Sequence, residues 1–160
     1  MGVLFDYFAA DSDAAAASTI DWPRGPGHGI PKKGLFGKAT PGLSIVHGRG
    51  IEPVVTLGML EELLTGRTFD DQLADPAARP ILANRDGGER LVIRIGDQLV
   101  LALCDAQPSQ LDALAEPWSQ IEEFYGDADP AELAHVLRNF RDLAKSARSH
   151  GHGVYCWVCV

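Results

Sequence analysis

The densest group of metal-ligating side chains lies in the last ten or so residues: His150, His152, Cys156 and Cys159. Two histidines and a Cys-x-x-Cys pair are the donor types of a tetrahedral zinc site. The local structure that must carry them opposes that chemistry. Val154-Tyr155-Cys156-Trp157-Val158-Cys159-Val160 has no charge and reads as a strand, in which successive side chains alternate between faces. Cys156 then shares a face with Val154 and Val158, and Cys159 shares the other with Tyr155 and Trp157. Two thiols on opposite faces share neither a metal nor a disulfide. The cysteine count of three is odd and fits a reducing cytosol better than a disulfide scaffold. The expectation is three buried thiols, Cys104 included, that react slowly until the chain unfolds, with no disulfide, no metal and no cofactor.

A second chemical candidate is cationic. Trp22 to Gly50 contains Pro23, Pro26, Pro31 and Pro41 among eight glycines, and its only charges are Arg24, Lys32, Lys33, Lys38 and Arg49. With those five set aside, the rest of the chain carries −13 against an overall −8. Arg24, Lys32, Lys33 and Lys38 could clamp a phosphate or carboxylate, with His28 or His47 moving protons. The alternative is a flexible solvated loop, which the composition favours. Gly37-Lys38-Ala39-Thr40 falls short of a phosphate-binding P-loop, since Lys32 stands where the earlier glycine belongs and Ala39 where Ser or Thr is required. Gly25-Pro26-Gly27-His28-Gly29 is no dinucleotide fingerprint, because proline removes an N–H and no helix follows. Glu116, Glu122, Glu123, Asp127 and Asp129 read as caps or a solvated helix face rather than paired catalytic acids. No Gly-x-Ser-x-Gly is present.

The elements that position these residues are legible from caps and periodicity. Asp129-Pro130-Ala131-Glu132 is a capping box. Leu133, Val136, Leu137, Phe140, Leu143, Ala144 and Ala147 form one apolar stripe beyond it. Gly151 and Gly153 end this helix before the final strand, which is polar on neither face and so belongs in the middle of a sheet. Val3–Phe8 and Arg90–Ile95 are further strands, and Leu43–His47 a short one. Asp11-Ser12-Asp13 caps an alanine-rich helix reaching about Ile20. Glu52-Pro53 opens a helix with Leu57, Leu60, Leu63 and Leu64 buried and Gly66 as its left-handed end. Thr68 caps a short helix, Pro80 interrupts the chain beyond it, and Asn84–Gly88 is a turn. Gly96-Asp97 and Ser109–Asp112 start two more helices, the second kinked or restarted at Pro117. The expected fold is a single α+β domain over residues 1–160, a small mixed sheet packed with helices, with the N- and C-terminal strands in the sheet and a Gly/Pro-rich basic loop at about 22–50.

At 160 residues with 46% hydrophobic and 22% charged residues, the chain can bury a full core. Its negative charge opposes general nucleic-acid binding. No apolar run is long enough to span a membrane, and no basic segment precedes an apolar core as in a signal peptide. The expected setting is cytoplasmic, with neither nucleic acid nor membrane as partner.

Three places together resemble the small bacterial YfbM-like family, to which no activity is assigned. They are the start, Met1-Gly2 leading into a strand that ends Tyr7-Phe8; the segment Leu60–Gly66, ending Leu63-Leu64-Thr65-Gly66; and the long last helix running through a glycine turn into a terminal strand. The resemblance implies an α+β fold. That family carries Trp and His in its middle helix where this chain has Leu57 and Glu61, so no site residues carry over. The first functional expectation is a non-enzymatic binding or accessory protein with a protein partner. One version is an immunity protein whose acidic surface meets a basic toxin. The alternative is a small-molecule or anion-binding enzyme with its pocket under the basic loop.

Overall fold

The computed structural model describes residues 2–160. Strand β1 (Leu4–Ala10) leads to helix α1 (Asp13–Ser18), and a single tight helical turn carries α1 on to Asp21. The Ser12 hydroxyl caps α1 by accepting from the Ala15 N–H at 3.1 Å. The long loop then delivers strand β2 (Ile45–His47). Helix α2 (Val55–Thr65) begins two residues after Pro53, because Glu52 acts as the cap: its carboxylate accepts from the Val54 and Val55 N–H groups at 2.8 and 2.6 Å. Gly66 closes α2 at φ 76°. Helix α3 (Phe69–Ala74) is capped by Thr68 as expected.

Strand β3 (Ile81–Arg85) is an addition to the expected strands. Pro80 lies just before it, where a missing N–H breaks no ladder bond, and its carbonyl accepts from Arg94 N–H at 3.0 Å. Residues 86–88 turn the chain into strand β4 (Arg90–Arg94), after which comes helix α4 (Asp97–Asp105). Helix α5 (Pro108–Ser119) starts at Pro108 rather than at a Ser109 cap, and it runs unbroken past Pro117, which sits in its last turn. Helix α6 (Pro130–Ser149) and strand β5 (Gly153–Cys159) complete the chain.

The sheet order is β2-β1-β5-β4-β3, so the last strand is the central one. The fold is α+β, and every pairing is antiparallel rather than mixed. The alternation read from the sequence sorts the two faces. Tyr7, Ile93, Val154, Cys156 and Val158 meet the main core, built from Leu57, Leu60, Leu99, Leu111, Trp118, Leu137 and Phe140 of the helices. Phe8, Ala10, Val92, Tyr155 and Trp157 form the second face with Ala16 and Ile20 of α1.

The first half of the basic loop covers that second face. Gly25, Pro26 and Gly29 are buried. Gly25 lies on the Trp157 ring at φ +77°, and a Cβ there would stand 3.1 Å from the indole, so the loop backbone itself is the packing surface. A solvated loop is therefore the wrong description of this half.

Of the three thiols only Cys156 is buried, and burial pushes its pKa well up. Cys104 borders the Leu99–Leu103 stripe, and Cys159 lies at the end of its strand, so both are partly exposed.

Two tyrosines tie the layers together. The Tyr7 hydroxyl donates to Ile51 O at 2.7 Å, and that of Tyr155 to Asp13 Oδ1 at 2.9 Å. Burial is the main cause of the raised pKa of both; Asp13 adds to it at Tyr155, which reaches about 12. A phenol held protonated by the fold contributes stability below its unfolded pKa of about 10, and that stability is lost as pH rises toward about 12. Alkaline titration should thus leave two phenolate absorbances missing at about pH 11 until the chain unfolds, with stability to urea falling through the same window. Full ionisation of all three tyrosines in the folded protein at that pH would contradict this.

Candidate binding groove

Pairing of β1 with β5 puts β1 beside α6, and β2 extends the sheet past it. Between β2 and α6 lies a groove of about 1010 Å³. Its strand side is formed by Ser44, Ile45, Val46, His47, Arg49 and Ile51. Its helix side is the margin of the α6 apolar stripe, Val136 and Leu143, with Glu132, His135, Asn139, Asp142 and Ser146 alongside. Val136 and Leu143 are half-buried, so the residues at the margin of the apolar stripe line the groove while Leu137, Phe140 and Ala144 fill the core. The result is an apolar floor with polar groups of both signs at the rim.

One wall is open backbone. Gly48 N–H donates to Phe5 O at 2.8 Å, and the register pairs His47 with Asp6 and Val46 with Tyr7. Antiparallel pairs alternate between bonded and non-bonded positions. Val46 therefore exchanges bonds with Tyr7, while the N–H and C=O groups of Ile45 and His47 point off the sheet edge. Among the described residues no strand pairs with that side of β2.

The non-bonded position brings Asp6 and His47 side by side on the second face. His47 Nδ1 lies 2.9 Å from Asp6 Oδ1, with the Asp6 side chain 10% exposed and that of His47 68% exposed. A carboxylate only accepts, so Nδ1 is the donor of this bond. Asp6 was legible only as the single acid in an apolar strand.

The structure does not gather the expected cationic clamp. Arg24, Lys32, Lys33, Lys38 and His28 are all exposed and none lines the groove; His47 alone does. His28 Nδ1 is 3.0 Å from the backbone oxygen of Arg24. At the C-terminus, Cys156 and Cys159 lie on opposite faces, and His150 Nδ1 is 2.8 Å from Ser146 O at the end of α6. Among the described residues, no three His, Cys, Asp or Glu side chains converge as a metal ion requires.

A buried charge cluster lies apart from the groove. Glu61 of α2 is only 1% exposed; Arg79 reaches one of its oxygens at 3.0 Å and Arg67 the other at 3.4 Å. Arg67 also holds Asp75 at 2.7 Å, which keeps the Asp75 carboxyl below its usual pKa. Arg79 Nε donates to Pro53 O at 2.8 Å. The sequence marks Glu61 only by spacing, four residues after Leu57 and three before Leu64. The donors and acceptors are matched to one another, which makes this cluster a structural tie between α2 and residues 75–80. Comparison with family models, with curated proteins and with solved structures found no match to the chain.

Proposed function

We propose that this protein is a non-enzymatic binding protein that takes an extended segment of a partner protein into the groove between β2 and α6. The observation that carries the reading is the open edge of β2 facing a helix across an apolar-floored groove. An added strand would pair with the outward N–H and C=O groups of Ile45 and His47, and alternate side chains would enter between β2 and α6. Glu132 and Asp142 at the rim and the net charge of −8 favour a segment with basic residues. An immunity-type role, with a basic toxin as the partner, is one form of this reading. Membership of the YfbM-like family is compatible with it and contributes no site residue.

Selection from a displayed library of random peptides tests it. Extended peptides with alternating apolar residues should be enriched, and binding should weaken as salt rises. Val136→Arg, which puts a long cationic side chain on the apolar floor, should abolish binding. His47→Pro removes an outward N–H that the pairing with β1 does not use, a position at which edge strands accept proline. It should cost about tenfold or more in affinity, while His47→Ala retains binding. Enrichment of the same peptides by wild type and Val136→Arg, or equal binding by His47→Pro and wild type, would refute the reading.

A further inference from the structure

The second half of the basic loop does something the first half does not: it leaves the body of the protein. Ile30 and Thr40 exchange backbone hydrogen bonds at 2.8 Å each and close a finger over the residues between them. The finger is held by its own backbone. Gly34 turns it at φ +68°, and at Gly37 a Cβ would collide with the Lys33 carbonyl, so the chain there packs against itself. At the apex Leu35 and Phe36 are 84% and 94% exposed. Scattered apolar residues are normal on a surface, but two adjacent bulky ones at the tip of a constrained turn form a presented element.

Its flanks are chemically distinct from the rest of the surface. Lys32, Lys33 and Lys38 are three of the chain's four lysines, against ten arginines, and no acid occurs between Trp22 and Gly50. Arginine is the residue used for fixed pairing here: Arg67, Arg79, Arg85, Arg90, Arg94, Arg138 and Arg148 all face carboxylates. The three finger lysines make no ion pair among the described residues. Lysine carries a compact charge on a flexible apolar stem, which suits a target without fixed geometry.

From this juxtaposition we infer that the Ile30–Thr40 finger docks the protein reversibly on an anionic lipid surface. Leu35 and Phe36 enter the headgroup region, and Lys32, Lys33 and Lys38 meet the phosphates. A convex tip needs a pre-shaped pocket on a protein partner and none on a fluid interface. The expectation of no membrane partner rests on the lack of a spanning segment, and among the described residues no helix is long and apolar enough to cross a membrane. A docking tip needs no span. The acids of the body oppose the approach, but at physiological salt charges beyond a Debye length of about 8 Å from the headgroups count for little. The attachment is therefore weak and depends on the finger.

Flotation with phosphatidylcholine vesicles, with and without phosphatidylglycerol at about 40%, tests the inference. Wild type should float with the anionic vesicles, about tenfold less with phosphatidylcholine alone, and less at high salt. Leu35→Ser/Phe36→Ser and Lys32→Gln/Lys33→Gln/Lys38→Gln should each lose about tenfold in binding while keeping the wild-type melting temperature, because these side chains are exposed. Failure of wild type to float with anionic vesicles would overturn the inference, as would equal binding to both vesicle types or variants that bind like wild type. So would wild-type self-association in lipid-free buffer that Leu35→Ser/Phe36→Ser abolishes, since the tip would then be a protein contact.

Discussion

Glu61→Ala should lower the free energy of unfolding by about 3–5 kcal/mol, the range expected when one partner of a buried ion pair is removed. Glu61 is 1% exposed, and the Arg79 side chain that meets it is 8% exposed. Truncation leaves the Arg79 guanidinium with its backbone partners Pro53 O and Ala78 O but no counter-charge, in a site with little access to water. Arg67 is less affected, because Asp75 still holds it at 2.7 Å. Against a typical total stability of about 5–15 kcal/mol, the loss is a large fraction. Thermal unfolding should move down by about 10 °C or more. Two further variants separate charge from volume. Glu61→Gln keeps the shape and one acceptor and should cost less. Glu61→Met/Arg79→Met removes both charges and should recover most of the loss, since apolar replacement of a buried pair is often close to neutral. Urea denaturation of the three proteins reads the effect. A Glu61→Ala variant within about 1 kcal/mol of wild type would show that the pair is not desolvated in solution.

Glu61 also shows where sequence reading stops. Its spacing from Leu57 and Leu64 puts it on the buried stripe of α2, yet its residue type assigns it to the surface, and only the presence of Arg79 from a distant segment reconciles the two. The elements whose local signals agree with their environment are those that were legible. A capping box and a continuous stripe define α6, and the absence of charge marks β5 as central. β3 was hidden because Pro80 and the Asn84–Gly88 turn leave only three residues between two breakers; the strand borrows its last two residues from the turn. The basic loop has no period, so nothing local reveals that Gly25 lies on Trp157 while Leu35 and Phe36 project outward. The groove is tertiary in origin. Val136 and Leu143 sit on the same stripe as Leu137, and only the docking of β2 beside α6 separates core from groove.

Trp118 and Trp157 offer a matched pair in which one hydrogen bond decides the outcome. Both are buried, at 0% and 4% exposure. The Trp118 indole donates to Thr56 O at 3.1 Å, tying α5 to the first turn of α2, and its ring meets Phe124 edge-on at 5.4 Å. The Trp157 indole N–H is buried and has no hydrogen-bond partner among the described residues, while Gly25 lies against the six-membered part of the ring. Replacing either by phenylalanine removes the same atoms and leaves a similar void, so the packing cost is comparable. The polar terms have opposite signs. Trp118→Phe forfeits a satisfied bond worth about 0.5–1.5 kcal/mol, whereas Trp157→Phe removes a buried donor whose desolvation was uncompensated, a relief of about 1–3 kcal/mol. Trp118→Phe should therefore be the more destabilising by about 2 kcal/mol or more, with Trp157→Phe close to wild type in urea denaturation. Equal losses would mean that the Trp157 N–H is satisfied in solution. A larger loss at Trp157 would mean that the loop's packing on the full indole outweighs the unpaired donor.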